Sequence, residues 1–148
     1  MNSSISAPIP LNLHQNNHLS VMQIPLLSNV SAGFPSPASD FMDVSIDLNK
    51  EYIKHPSATF FARVSGNSMI KAGISEGDLL IVDRSVKPTD NRIVVCFLDG
   101  EFTLKRLLLR ENHCILMPEN DEYEPIIVEK ENYFQVWGVV VHVVKSFV

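Results

Sequence analysis

Hydrophobic residues in this chain fall in short runs separated by turn-forming residues, with no sustained helical stripe. Thr59–Ser65 (TFFARVS) alternates loosely between apolar and polar positions, and Asp78–Asp83 (DLLIVD) is a brief apolar run that begins just after Gly77. Arg92–Leu98 (RIVVCFL) and Glu101–Leu109 (EFTLKRLLL) flank Asp99-Gly100, a dipeptide that favours a two-residue hairpin turn. Cys114–Met117 predicts a strand stopped by Pro118. Ile126–Val128 and Tyr133–Val144 (YFQVWGVVVHVV) predict two more, with Gly138 marking a bulge or bend in the second. The helical signal is confined to a turn around Ser68–Ala72. From about Ile53 onward this spacing of strand signals predicts a compact, mainly-β domain of about 95–110 residues. We assign it to residues 41–148.

The first part of the chain differs in character. Residues 1–39 carry no Asp, Glu, Lys or Arg, whereas all 29 charged residues lie between Asp40 and Lys145. Five of the nine prolines (Pro8, Pro10, Pro25, Pro35 and Pro37) fall in that uncharged stretch. Residues 1–40 therefore read as an extended arm with little core of its own. Its prolines and many Asn and Ser residues exclude a membrane span, and the absence of a basic start excludes a secretory leader, so a cytoplasmic location is expected. With 45% apolar residues and a net charge of −5, the composition is globular, and it argues against a dedicated nucleic-acid binder and for a protein partner or peptide substrate. Cys96 and Cys114 lie in apolar runs and read as buried reduced thiols.

Candidate chemistry narrows quickly. The five histidines (His14, His18, His55, His113 and His142) show no metal-ligand spacing, and no phosphate-cradling glycine motif occurs, so no metal or cofactor is expected. His142 in VVVHVV suits a sheet face, and His55 before Pro56 suits a loop. Ser65-Gly66-Asn67-Ser68-Met69 places a serine where a strand enters a short helical turn. There Ser68 is either a helix cap or an exposed hydroxyl beside free backbone N–H groups suited to an oxyanion. A nucleophilic serine needs a base. In EFTLKRLLL, alternation puts Thr103, Lys105 and Leu107 on one face and Leu104, Arg106 and Leu108 on the other, so one basic side chain faces the more buried side. A desolvated Lys105 loses preference for its charged form and becomes a candidate general base; a lysine snorkelling from a sheet edge is the alternative.

Three segments in order, Ser65-Gly66-Asn67-Ser68-Met69, Gly73-Ile74-Ser75-Glu76-Gly77-Asp78 and Asp99–Leu107, resemble the self-cleaving Ser/Lys peptidases of the LexA/UmuD group, and most closely the UmuD-type polymerase accessory proteins. The resemblance extends over about residues 22–148, through Gly33-Phe34-Pro35-Ser36-Pro37-Ala38, His55–Thr59 and Val136–Lys145. It implies a curled-sheet peptidase domain with Ser68 as nucleophile and Lys105 as general base. The backbone N–H groups of Asn67 and Ser68 would be oxyanion donors, and the scissile bond would be Ala32–Gly33. Ala32 departs from the Cys-Gly pair of the best-known UmuD. The resemblance further implies cleavage stimulated by a RecA–single-stranded DNA filament after DNA damage. It also implies a homodimeric 33–148 fragment serving a Y-family, UmuC-like polymerase subunit in error-prone translesion synthesis. The lack of a DNA-binding domain ahead of the arm favours this over a phage-type self-cleaving repressor fragment, and no direct sequence-specific DNA binding is expected. The 35 residues from Gly33 to Ser68 span at most about 115–125 Å, so reach limits neither cis nor trans cleavage. Gln23-Ile24-Pro25-Leu26-Leu27 resembles short peptides that dock on the bacterial sliding clamp. The rival class is a non-catalytic interaction module in which Ser68 only caps and Lys105 is solvated.

Overall fold

The computed structural model describes residues 22–27, 30–34 and 44–148. His14, His18, Pro35–Ala38 and the proposed boundary between residues 40 and 41 lie outside them. The chain divides into two compact units, Met1–Asp47 and Leu48–Val148. In the first, β1 (Ile24–Leu26) pairs antiparallel with β2 (Val44–Ile46).

The second unit is built on an antiparallel sheet of seven strands. These are β3 (Thr59–Arg63), β4 (Leu79–Asp83), β5 (Ile93–Leu98), β6 (Glu101–Leu109), β7 (Cys114–Met117), β8 (Ile126–Val128) and β9 (Phe134–Val144). Their order in the sheet is β3-β4-β9-β5-β6-β7-β8, so the last strand of the chain runs through the interior of the sheet. Each expected strand of this unit is present within two residues of its predicted ends. Four described elements are not predicted by the pattern: β1, within what reads only as an extended arm, β2, the helix α1 (Leu48–Tyr52) and a 3₁₀ turn at Pro56–Ala58. Each is three to five residues long, too short to show a period.

Two features set the register. Asp99 and Gly100 both have positive φ (46° and 95°), as a two-residue turn matched to strand twist requires, and Leu98 pairs directly with Glu101. In β9 the pairing with β5 slips at Trp137, beside Gly138. A β-carbon on Gly138 would sit 2.7 Å from Val82 Cγ1 and 3.2 Å from the Asp83 carbonyl oxygen, so glycine is what allows β9 to lie this close to β4. A second slip, between Ile81 and Val82, bends the same strand again.

Apolar side chains form two buried clusters. One gathers Val94, Cys96, Leu107, Leu116, Val128 and Val139. The other gathers Met69, Ile74, Leu80, Val82 and Val95, with Leu104 and Trp137 packed against it. Met69 is 1% exposed and directly follows Ser68, so burial of its side chain pins the end of the turn that carries the serine. Removing such a side chain from water contributes about 1.5–3 kcal/mol. Among the described residues no helix is long and apolar enough to cross a membrane.

Candidate active site

Ser68 and Lys105 come from distant parts of the sequence and meet. Ser68 lies in the turn between β3 and a 3₁₀ turn at Ile70–Ala72, whose N-cap is Met69 with no capping side-chain bond. Ser68 is therefore not the cap of that turn, and its hydroxyl is directed elsewhere. Lys105 Nζ lies 3.2 Å from Ser68 Oγ. The same ammonium or amine nitrogen donates to Thr103 Oγ1 at 2.9 Å and to the Leu104 carbonyl at 3.0 Å. Alternation along β6 gave Lys105 or Arg106 as the inward cation. It is Lys105, 7% exposed, whereas Arg106 turns to the other face.

The electrostatics of this pair are unusual. Among the described residues, the three hydrogen-bond partners of Lys105 are neutral oxygens, with no carboxylate among them. Burial pushes the amine below the ordinary lysine value of 10.5. The titratable group facing it is Cys96 on β5, whose thiol burial pushes up to about 12, so it stays neutral and offers no counter-charge near pH 7. A lysine held this way gives up its proton more readily than one in water, which is what proton abstraction from a hydroxyl requires.

Ser65–Met69, Arg63, Val64, Phe102, Thr103, Lys105 and Tyr123 line a cleft of about 370 Å³. Among the described residues, no backbone hydrogen bond uses the N–H of Asn67 or Ser68. Both lie at this cleft and are free to meet a developing negative charge. The turn is fixed from outside: the Glu119 N–H donates to the Ser68 carbonyl (2.8 Å), and the Tyr123 hydroxyl donates to Asn67 Oδ1 (2.9 Å).

Two of the histidines, His55 and His142, are occupied elsewhere. His55 Nδ1 lies 2.6 Å from Asp83 Oδ2, and the His142 ring meets Tyr52 edge-on at 4.9 Å. Neither residue lines the cleft. In the first unit, Ala32 and Gly33 lie in a bend in which Ser31 Oγ donates to the Phe34 carbonyl at 2.7 Å. Gln23 to Leu27 run through β1, with Ile24, Leu26 and Leu27 exposed. Cys96 and Cys114 are both free thiols. Sequence reasoning missed Thr103 as a partner of Lys105, although their shared face was the available signal. It also missed Glu119 and Tyr123, which no local pattern ties to Ser68.

Comparison with known proteins places the chain in a family. The profile of the family described as Peptidase S24-like matches residues 25–141. Protein MucA of Salmonella typhimurium is 45% identical over 117 residues, covering 78% of this chain and 80% of that protein. Protein ImpA of Escherichia coli is 50% identical over 113 residues, covering 76% and 77%. The LexA repressor of Clostridium perfringens is 38% identical over 114 residues, covering 77% of this chain and 56% of the repressor. A buried lysine on a serine hydroxyl, in a β-rich domain with these relatives, defines the class: the chain belongs to the peptidase S24-like family of serine peptidases. Within that family it is of the UmuD type and SOS-related.

Proposed function

We propose that this chain hydrolyses its own Ala32–Gly33 bond, with Ser68 as nucleophile and Lys105 as general base. The observation that carries the reading is the 3.2 Å contact between Lys105 Nζ and Ser68 Oγ in a lysine site with no carboxylate partner among the described residues. Neutral Lys105 takes the hydroxyl proton as Ser68 Oγ attacks the Ala32 carbonyl carbon. The N–H groups of Asn67 and Ser68 stabilise the resulting oxyanion. Protonated Lys105 then gives its proton to the leaving Gly33 amine, and water releases the acyl group from Ser68 with Lys105 again as base. Small side chains at the cut leave the carbonyl open to attack, and an uncharged arm suits extended docking on a partly apolar cleft.

Family membership supports the wider setting: cleavage stimulated by a RecA–single-stranded DNA filament, and a homodimeric 33–148 fragment acting with a Y-family polymerase subunit in translesion synthesis. The exposed apolar side chains of Ile24, Leu26 and Leu27 suit docking of Gln23–Leu27 on a sliding clamp, an affinity that cleavage would remove with the arm.

The test is intact mass of wild type, Ser68→Ala and Lys105→Ala after incubation at pH 10, with and without RecA filament. Wild type is expected to lose residues 1–32 and both variants to remain whole. Appearance of the 33–148 fragment in either variant would overturn the assignment.

A further inference from the structure

The turn that carries Ser68 lies outside the strand ladder, so something other than the sheet must hold it at hydrogen-bonding distance from Lys105. The segment after β7 does this. The Glu119 N–H donates to the Ser68 carbonyl and the Lys71 N–H donates to the Glu119 carbonyl, both at 2.8 Å. Asn120 Nδ2 donates to the Asn67 carbonyl at 3.0 Å, and the Tyr123 hydroxyl donates to Asn67 Oδ1 at 2.9 Å. One residue, Glu119, thus grips the segment through its backbone at two points, Ser68 itself and Lys71 within the Ile70–Ala72 helical turn. Its carboxylate accepts from Arg106 Nε, and that guanidinium is fixed at its other end by an Nη1 bond to the Asn91 carbonyl (2.8 Å).

Arg106 is the neighbour of Lys105 on β6. Alternation sends Lys105 inward to Ser68 Oγ and Arg106 outward to Glu119. The strand that carries the amine therefore also carries the anchor of the segment that holds the hydroxyl. We propose that Glu119, Asn120 and Tyr123, tied to β6 by the Arg106–Glu119 ion pair, form a positioning clamp that sets the distance between Ser68 Oγ and Lys105 Nζ. This rests on the reading of Ser68 and Lys105 as the catalytic pair. Arg106, Glu119 and Tyr123 act through that pair and are positioning residues. The side chains of Arg106 and Glu119 are each only 25% exposed, unlike the neighbouring Lys71–Asp121 pair at 54% and 89%, which solvent screens.

The test is an NMR titration of the Lys105 ε-methylene in the full chain, beside arm removal at each pH. The proteins are wild type, Glu119→Ala, Arg106→Gln, their double variant, Tyr123→Phe and Asp121→Asn. A loosened turn admits water to the amine, so Glu119→Ala, Arg106→Gln and Tyr123→Phe should each move the Lys105 midpoint upward. They should also slow arm removal about tenfold or more, since small misplacements of reacting groups are costly. The double variant should match a single one, because both substitutions break the same pair. Asp121→Asn should move neither readout. Additive effects of Arg106→Gln and Glu119→Ala would overturn the clamp. So would a wild-type Lys105 midpoint in both Glu119→Ala and Tyr123→Phe, and the exposed Tyr123 ring makes loss of folding no obstacle there. If wild type itself keeps its arm, the cleavage reading fails, and the titration alone decides the clamp.

Discussion

Lys105 is a buried amine with neutral partners, and such a group destabilises the fold while it is charged. Its folded-state value is lowered, so the unfolded chain holds the proton more tightly than the folded one. Between the lowered folded value and the ordinary 10.5, unfolding takes up a proton, and stability therefore rises with pH across that window. Lys105→Met removes this dependence. In denaturant titrations the wild type should gain on the Met variant from pH 7 to pH 10; a constant gap would contradict the burial argument. Arm removal by Lys105→Met should fall by about 10³-fold or more. Asp83 illustrates the opposite sign. Burial raises its carboxyl, but bonds from Ser85 and His55 outweigh burial and hold it below the ordinary 3.8. Its contribution is present above that value and is lost as pH falls through the lowered one. Asp83→Asn should cost about 1–3 kcal/mol at neutral pH and flatten the acid limb of a stability-versus-pH curve.

At the scale of elements, β9 is the strand on which the sheet depends, because it pairs with both β4 and β5. Gly138→Ala forces a β-carbon against Val82 and the Asp83 carbonyl, and should destabilise by about 1–3 kcal/mol in chemical denaturation. Met69→Ala empties a fully buried position under the serine turn. It should cost about 2–5 kcal/mol and slow arm removal more than its stability loss alone explains. These strands were legible because each carries its own apolar run between strong turn residues, as with Asp99-Gly100. The short β2 and α1 were not, since three residues (VSI) and five (LNKEY) hold no period. The site was partly legible. Ser68 and Lys105 each stood out against its local pattern, but their pairing rested on resemblance. The hold of Glu119 and Tyr123 on the serine turn spans more than fifty residues of chain and leaves no trace in alternation.

For the whole molecule, both apolar clusters and the Ser68–Lys105 pair lie within Leu48–Val148. A fragment of residues 48–148 should therefore unfold in one cooperative transition. Its midpoint should lie within about 4–8 °C of the full chain, the shift that roughly 1 kcal/mol produces in a domain of this size. Broad, non-cooperative melting would mean that the first unit contributes to that core. The two-residue turn at Asp99-Gly100 has a consequence for how such a chemistry is inherited. It counts residues along β6, and the count alone decides which of two adjacent cations faces the serine. One residue lost at the start of β6, Glu101 for instance, with the two-residue turn kept, would present Arg106 in place of Lys105. A guanidinium never gives up its proton in a protein, so a single codon could silence the nucleophile while every other side chain of the site stayed in the gene.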